Sequence, residues 1–86
     1  MKKPQILSRV GKPNLISKLP LVELTGQSRV LIENHLGVLG YSLEEIQIKV
    51  SYGMLSVKGE QLKLIQMSNE QLVIKGHIDT LELLRR

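Results

Sequence analysis

The side chains able to do chemistry are few and scattered along the chain. His35 and His77 are the only histidines among 86 residues, and there is no cysteine. His77 stands two residues before Asp79, a spacing that puts both on one face of a strand. An imidazole–carboxylate pair can relay a proton or begin a metal site. With no third ligand and no nucleophile beside it, the simpler reading is a polar pair after the Gly76 turn. His35 lies in Glu33-Asn34-His35-Leu36-Gly37, which reads as a turn between strands. Glu44 and Glu45 are adjacent, so on a strand they point to opposite faces and cannot work as paired acid and base. Gly37-Val38-Leu39-Gly40 lacks the lysine and the helix of a phosphate loop. The lack of cysteine removes a disulfide frame, a thiolate metal site and a thiol nucleophile. No catalytic residue, metal site or cofactor is therefore assigned, and the chain is expected not to be an enzyme.

Charge is the second source of function, and it is unevenly placed. Residues 1–18 carry Lys2, Lys3, Arg9, Lys12 and Lys18 with no acidic residue, a charge of +5, whereas residues 19–86 sum to −1, giving the +4 of the whole chain. Such an arm suits phosphate groups or an anionic membrane surface, at about 1 kcal/mol per charge near the surface. Sheet proteins that bind nucleic acid stack bases on aromatic side chains, and here only Tyr41 and Tyr52 are available, which disfavours nucleic acid as the partner. Pro4 and Pro13 interrupt the arm, so it is expected to be flexible or extended. No apolar run reaches the length of a membrane span, and none resembles the apolar block of a secretory signal. The chain is expected in the cytosol.

The elements that would position these residues read as strands. Hydrophobic residues make up 42% of the chain, nearly all Leu, Ile and Val, without alanine, phenylalanine or tryptophan. That composition suits a pleated, half-buried surface better than close-packed helices. Alternation of apolar and polar residues predicts seven short runs. Their inward set is Val22, Leu24, Val30, Ile32, Ile46, Ile48, Val50, Leu55, Val57, Leu62, Leu64, Leu72, Ile74, Leu81 and Leu83. Gly26, Gly37, Gly40, Gly53, Gly59 and Gly76, together with Ser68-Asn69-Glu70, fall between the runs as turns, and Gly59 and Gly76 are expected at positive φ. The segment Leu55-Ser56-Val57-Lys58-Gly59 returns 17 residues later as Leu72-Val73-Ile74-Lys75-Gly76, and Val22-Glu23-Leu24-Thr25-Gly26 resembles both. About four strand–turn–strand units follow. Stacked as coils they form a β-solenoid, with Lys58 beside Lys75; reversed at each turn they form an antiparallel meander or sandwich. The regular period favours the solenoid-like form, as one all-β domain over residues 19–86 behind the arm of residues 1–18.

Leu31, Ile65, Val73 and Leu84 fall out of phase with the inward set, on the face that should be wet. A sheet apolar on both faces needs a second layer: its own arm through Leu15, Ile16 and Leu19, a protein partner, or another copy of itself.

Several segments also resemble one known family. Leu19-Pro20-Leu21-Val22-Glu23-Leu24-Thr25-Gly26 and Leu31-Ile32-Glu33-Asn34-His35-Leu36-Gly37-Val38-Leu39 are similar to the opening of the YabP/YqfC sporulation proteins, with Ile-Glu-Asn-His the most specific part. Gly53-Met54-Leu55-Ser56-Val57-Lys58-Gly59 and the stretch from Leu72-Val73-Ile74-Lys75-Gly76-His77 to Leu83 resemble its later motifs. The resemblance covers roughly residues 19–84 and points to the YqfC branch; Leu36 stands where an arginine is common. It implies a protein of endospore-forming Firmicutes, made in the mother cell early in sporulation. It further implies a structural or assembly role in spore morphogenesis through protein–protein contacts, without enzymatic activity or cofactor. Because branch members are often encoded beside the membrane sporulation protein YqfD, it also implies a membrane-associated partner of that kind. On this reading Gly26, Glu33, Asn34, His35, Gly37, Gly53, Gly59 and Gly76 are structural motif positions.

Overall fold

The structure is a computed structural model that describes residues 19–85. The arm residues Lys2, Lys3, Arg9, Lys12 and Lys18, and with them Leu15 and Ile16, lie outside the described residues.

Six strands follow in chain order: β1 (Leu21–Thr25), β2 (Arg29–Glu33), β3 (Val38–Tyr41), β4 (Glu45–Val50), β5 (Gly53–Met67) and β6 (Gln71–Arg85). They form one sheet in the order β1-β2-β6-β5-β4-β3, and every pairing is antiparallel. The solenoid-like stacking is therefore not the arrangement adopted, and the antiparallel alternative is. The two repeat copies lie on neighbouring strands running in opposite directions, so Lys58 faces Thr80 and not Lys75, while Lys75 faces Lys63.

The sheet is folded on itself. β2 and β4 are separated by two strands, which at about 4.8 Å per strand would hold them roughly 14 Å apart in a flat sheet. Yet Val30 and Ile32 of β2 share one buried cluster with Ile46, Ile48 and Val50 of β4. The fold is made by β5 and β6, each 15 residues long. The first part of β5 pairs with β4, and the first part of β6 pairs with β2. The hairpin bends between these parts.

Bulges produce the bend and reset the alternation. Glu60 faces His77 and Lys63 faces Lys75, so β5 carries one residue more than β6, and Gln61 there has a φ of 55°. The inward set of β5 consequently changes from Leu55 and Val57 to Leu62 and Leu64. On β6 the extra residue falls between Ile78 and Thr80, which moves the inward set from Leu72, Ile74 and Ile78 to Leu81 and Leu83. The runs expected as separate strands are in fact halves of one strand.

Gly59 and Gly76 are consequently not turns; they sit inside β5 and β6 at the corner. Gly76 has a φ of 144°, and a Cβ there would lie 2.7 Å from the Gln61 carbonyl oxygen and 2.9 Å from Leu62 Cα. Gly59 is not at positive φ, contrary to the sequence expectation. It must be glycine because a Cβ would overlap the His77 carbonyl oxygen. Each glycine lets the opposite strand cross at backbone contact.

The two short hairpins close the corner in matching ways. The N–H groups of Gly76 and Ile78 donate to the carbonyls of Ser28 (3.2 Å) and Gln27 (2.7 Å) in the β1–β2 turn. Those of Gly59 and Leu62 donate to Glu44 (3.0 Å) and Leu43 (2.9 Å) between β3 and β4. Bulging frees strand N–H groups, and the turns supply acceptors for them.

Most of the expected core is buried, with three corrections. Val22, Leu24 and Leu83 point inward but are 38, 48 and 43% exposed, because the folded sheet is not closed where they lie. Leu64 and Leu81 pack partly buried against the core. Ile78 and Val73 are buried without having been expected there; Val73 lies on the opposite face from the main cluster, between Leu31 and Gln66.

Candidate interaction surface

The Glu33–Gly37 stretch, the most specific of the sequence, is a clasp. Asn34 has a φ of 64°; its N–H donates to the Glu70 carbonyl (2.6 Å) and its Nδ2 to the Leu19 carbonyl (2.9 Å). His35 is buried: its Nδ1 accepts from the Gly37 N–H (3.0 Å), so its Nε2 carries the hydrogen and donates to the Ser68 carbonyl (3.0 Å). Glu33 accepts from Gln71 Nε2 at 3.3 Å. The Leu36 N–H donates to the Lys49 carbonyl (2.7 Å), and the Lys49 N–H donates to the Gly37 carbonyl (2.8 Å). The clasp ties the β2–β3 link to the β5–β6 turn and to β4. These hydrogen bonds hold the two halves of the sheet together.

The other polar groups singled out are also dispersed. His77 Nε2 lies 3.2 Å from Asp79 Oδ1, and both side chains are more than half exposed. On the outer face of β4 and β5, Glu45 Oε2 accepts from the buried Ser56 hydroxyl at 2.8 Å and from Gln47 Nε2 at 3.1 Å. The Ser56 hydrogen bond holds the Glu45 carboxyl below its usual pKa, with the Gln47 amide and the Lys58 ammonium acting in the same direction. No group of three or more His, Cys, Asp or Glu able to hold a metal occurs among the described residues.

What gathers instead is apolar surface, at the end of the molecule opposite the corner. There β4 turns into β5 and β6 ends, with Gly53 facing Arg85. Alternation along this part of β6 sends Leu81 and Leu83 inward and Leu84 outward. The inner side chains line an open groove of about 240 Å³ with Pro20, Val22, Val50, Tyr52 and Leu55. The outer one lines a depression of about 400 Å³ with Leu39, Lys49, Gly53, Met54 and Arg85. Apolar side chains thus stand open on both sides of one pair of strands, the form expected of a contact surface.

Of the four outer-face residues expected as an interaction surface, the structure brings only Leu31 and Val73 together, as a cross-strand pair of β2 and β6. Leu84 lies in the depression, Ile65 is exposed on β5, Leu31 is half-buried and Val73 is buried. Sequence reasoning missed Leu39, Met54 and Tyr52. Leu39 and Met54 are out of phase with Val38 and Leu55 as Leu84 is with Leu83, but only the pairing Lys49–Met54–Leu84 makes one site of them.

Fold and surface together define a small all-β domain, one antiparallel sheet folded over a single core with an open apolar end. No helix of the described residues is long and apolar enough to cross a membrane. The sequence model of the YabP family matches residues 18–86, and the chain belongs to that family. It is similar to YqfC of Bacillus subtilis (strain 168), an uncharacterized protein, with 27% identity over 67 residues that span 78% of this chain and 72% of the relative. Membership of the YabP/YqfC family marks the chain as a sporulation-related protein.

Proposed function

We propose that this protein is a non-enzymatic assembly factor of spore formation that works through protein–protein contacts made at the open end of its sheet. The observation that carries this reading is the pair of apolar depressions flanking the end of β6. Leu83 and Leu84 are 43 and 41% exposed, on opposite faces of one short stretch. Leaving two such side chains in water forgoes about 1–2 kcal/mol each that burial would return, so a covering partner stabilises this end. The polar clusters are engaged with one another: His35 with two backbone groups, and Glu45 with Ser56 and Gln47. A role in the mother cell, alongside a membrane-associated partner, fits the family and is part of the same proposal.

The test is genetic and structural together. The gene is deleted in its host and restored as wild type, Leu83→Glu or Leu84→Glu, and heat-resistant spores are counted. The expected outcome is that both variants fold, with unchanged circular dichroism, while at least one fails to restore the spore count. Full complementation by both folded variants overturns the reading.

A further inference from the structure

The outer depression has a chemistry that the inner groove lacks. Register places Lys49, Met54 and Leu84 side by side across β4, β5 and β6, with Leu39 of the edge strand β3 and Arg85 completing the rim. Its floor is thus apolar and its rim cationic, whereas no charged residue lines the groove on the other face. Two acidic residues of the same outer face, Glu82 and Glu45, have partners of their own. Glu82 lies 3.8 Å from Lys58, and Glu45 is held by Ser56 and Gln47. Among the described residues neither Lys49 nor Arg85 makes an ion pair.

We propose that this depression is a docking site for an acidic, apolar segment of a partner protein. The partner's apolar side chains rest on Leu39, Met54 and Leu84, and its carboxylates meet Lys49 and Arg85. This rests on the reading of function through protein contacts and names the chemistry of the partner. Charge complementarity selects the occupant. A second copy meeting this face across a two-fold axis would set Lys49 and Arg85 against the same two cations, which is repulsive. A lipid surface is entered by protruding side chains, whereas this site is a hollow that receives them. Basic rim charges speed the encounter with an acidic segment, and the apolar floor slows its release.

The chain carries three methionines, Met1, Met54 and Met67, so methyl-labelled methionine gives a direct reading by NMR. Met54 lies in the site, while Met67 is exposed at the end of β5 and serves as the control. The probes are a synthetic amphipathic peptide of leucine and glutamate, the same peptide with lysine for glutamate, and phosphatidylglycerol vesicles. The expected result is a saturable shift of the Met54 methyl with the glutamate peptide and none with the lysine peptide, Met67 staying still in both. Binding should weaken about tenfold or more in a Lys49→Glu, Arg85→Glu variant, the loss of roughly 1.4 kcal/mol or more. Leu84→Ser, a change at an exposed position, should weaken it with the Met67 resonance unmoved. Four outcomes overturn the proposal: a Met54 methyl indifferent to the glutamate peptide, equal response to the lysine peptide, response to vesicles alone, or a shift driven by protein concentration alone. If Met54 is silent while the Leu83→Glu strain still fails to make heat-resistant spores, this site is excluded and contact at the open end stands.

Discussion

The two ends of the folded sheet are built on opposite principles. At the corner, backbone meets backbone: Gly59 and Gly76 let β5 and β6 cross, and the carbonyls of two hairpin turns satisfy the N–H groups that the bulges release. At the other end, side chains are left over. Val22, Tyr52, Leu83 and Leu84 are each about two-fifths exposed around two depressions. The corner has no space for an added atom, and the open end has space for another molecule. A domain of this size can bury only part of its apolar surface, and these four exposed side chains stand around the two depressions of this end.

Substitution at the corner should cost most. Gly59→Ala sets a Cβ against the His77 carbonyl oxygen, and Gly76→Ala sets one against Gln61 and Leu62 at a φ of 144°. Each is expected to cost about 4 kcal/mol or more and to abolish a cooperative thermal transition. A melt within a few degrees of wild type for either variant would break the contrast between the ends. A middle effect is expected in the core between them. Ile74→Ala removes a fully buried side chain and should cost about 3 kcal/mol in urea unfolding, whereas Leu83→Ala, at a position 43% exposed, should cost under about 1 kcal/mol. Equal losses would mean that the open end is packed as tightly as the core.

The smallest effect concerns Glu45. Its folded pKa lies below the unfolded value, so the stability it adds is present above the unfolded pKa and fades as pH falls through the folded one. Ser56→Ala removes the hydrogen bond chiefly responsible. The Glu45 titration followed by NMR should move up towards the ordinary glutamate range, and the part of the stability loss on acidification that Glu45 contributes should shrink. An unmoved titration would place the cause in Gln47 or Lys58 instead.

Much of the fold was legible in the order of residues, and the errors are informative. Period two identified the inward faces of β2 and β4 and of both halves of β5 and β6, phase changes included. Leu55 and Val57 are odd-numbered and Leu62 and Leu64 even, and both pairs were assigned inward. What alternation cannot say is whether a phase change marks a turn or a bulge, since either inserts an unpaired residue. Alternation therefore puts Gly59 in a turn, whereas it lies within a strand against a carbonyl. The internal repeat was real in sequence, but similar segments can lie on antiparallel neighbours as readily as on stacked coils. The site was less legible. Leu84 stood out as an apolar residue on the wrong face, while Met54, Leu39 and Lys49 did not, because the signal joining them is cross-strand pairing.

The sequence by itself determined that this chain forms strands, which side chains most of those strands turn inward, and to which family it belongs, because side-chain period and motif are properties of neighbouring residues. Only the tertiary structure decided the antiparallel order, the corner and the open end. Those depend on which distant strands share hydrogen bonds, and on how far one buried face can close before its apolar residues run out.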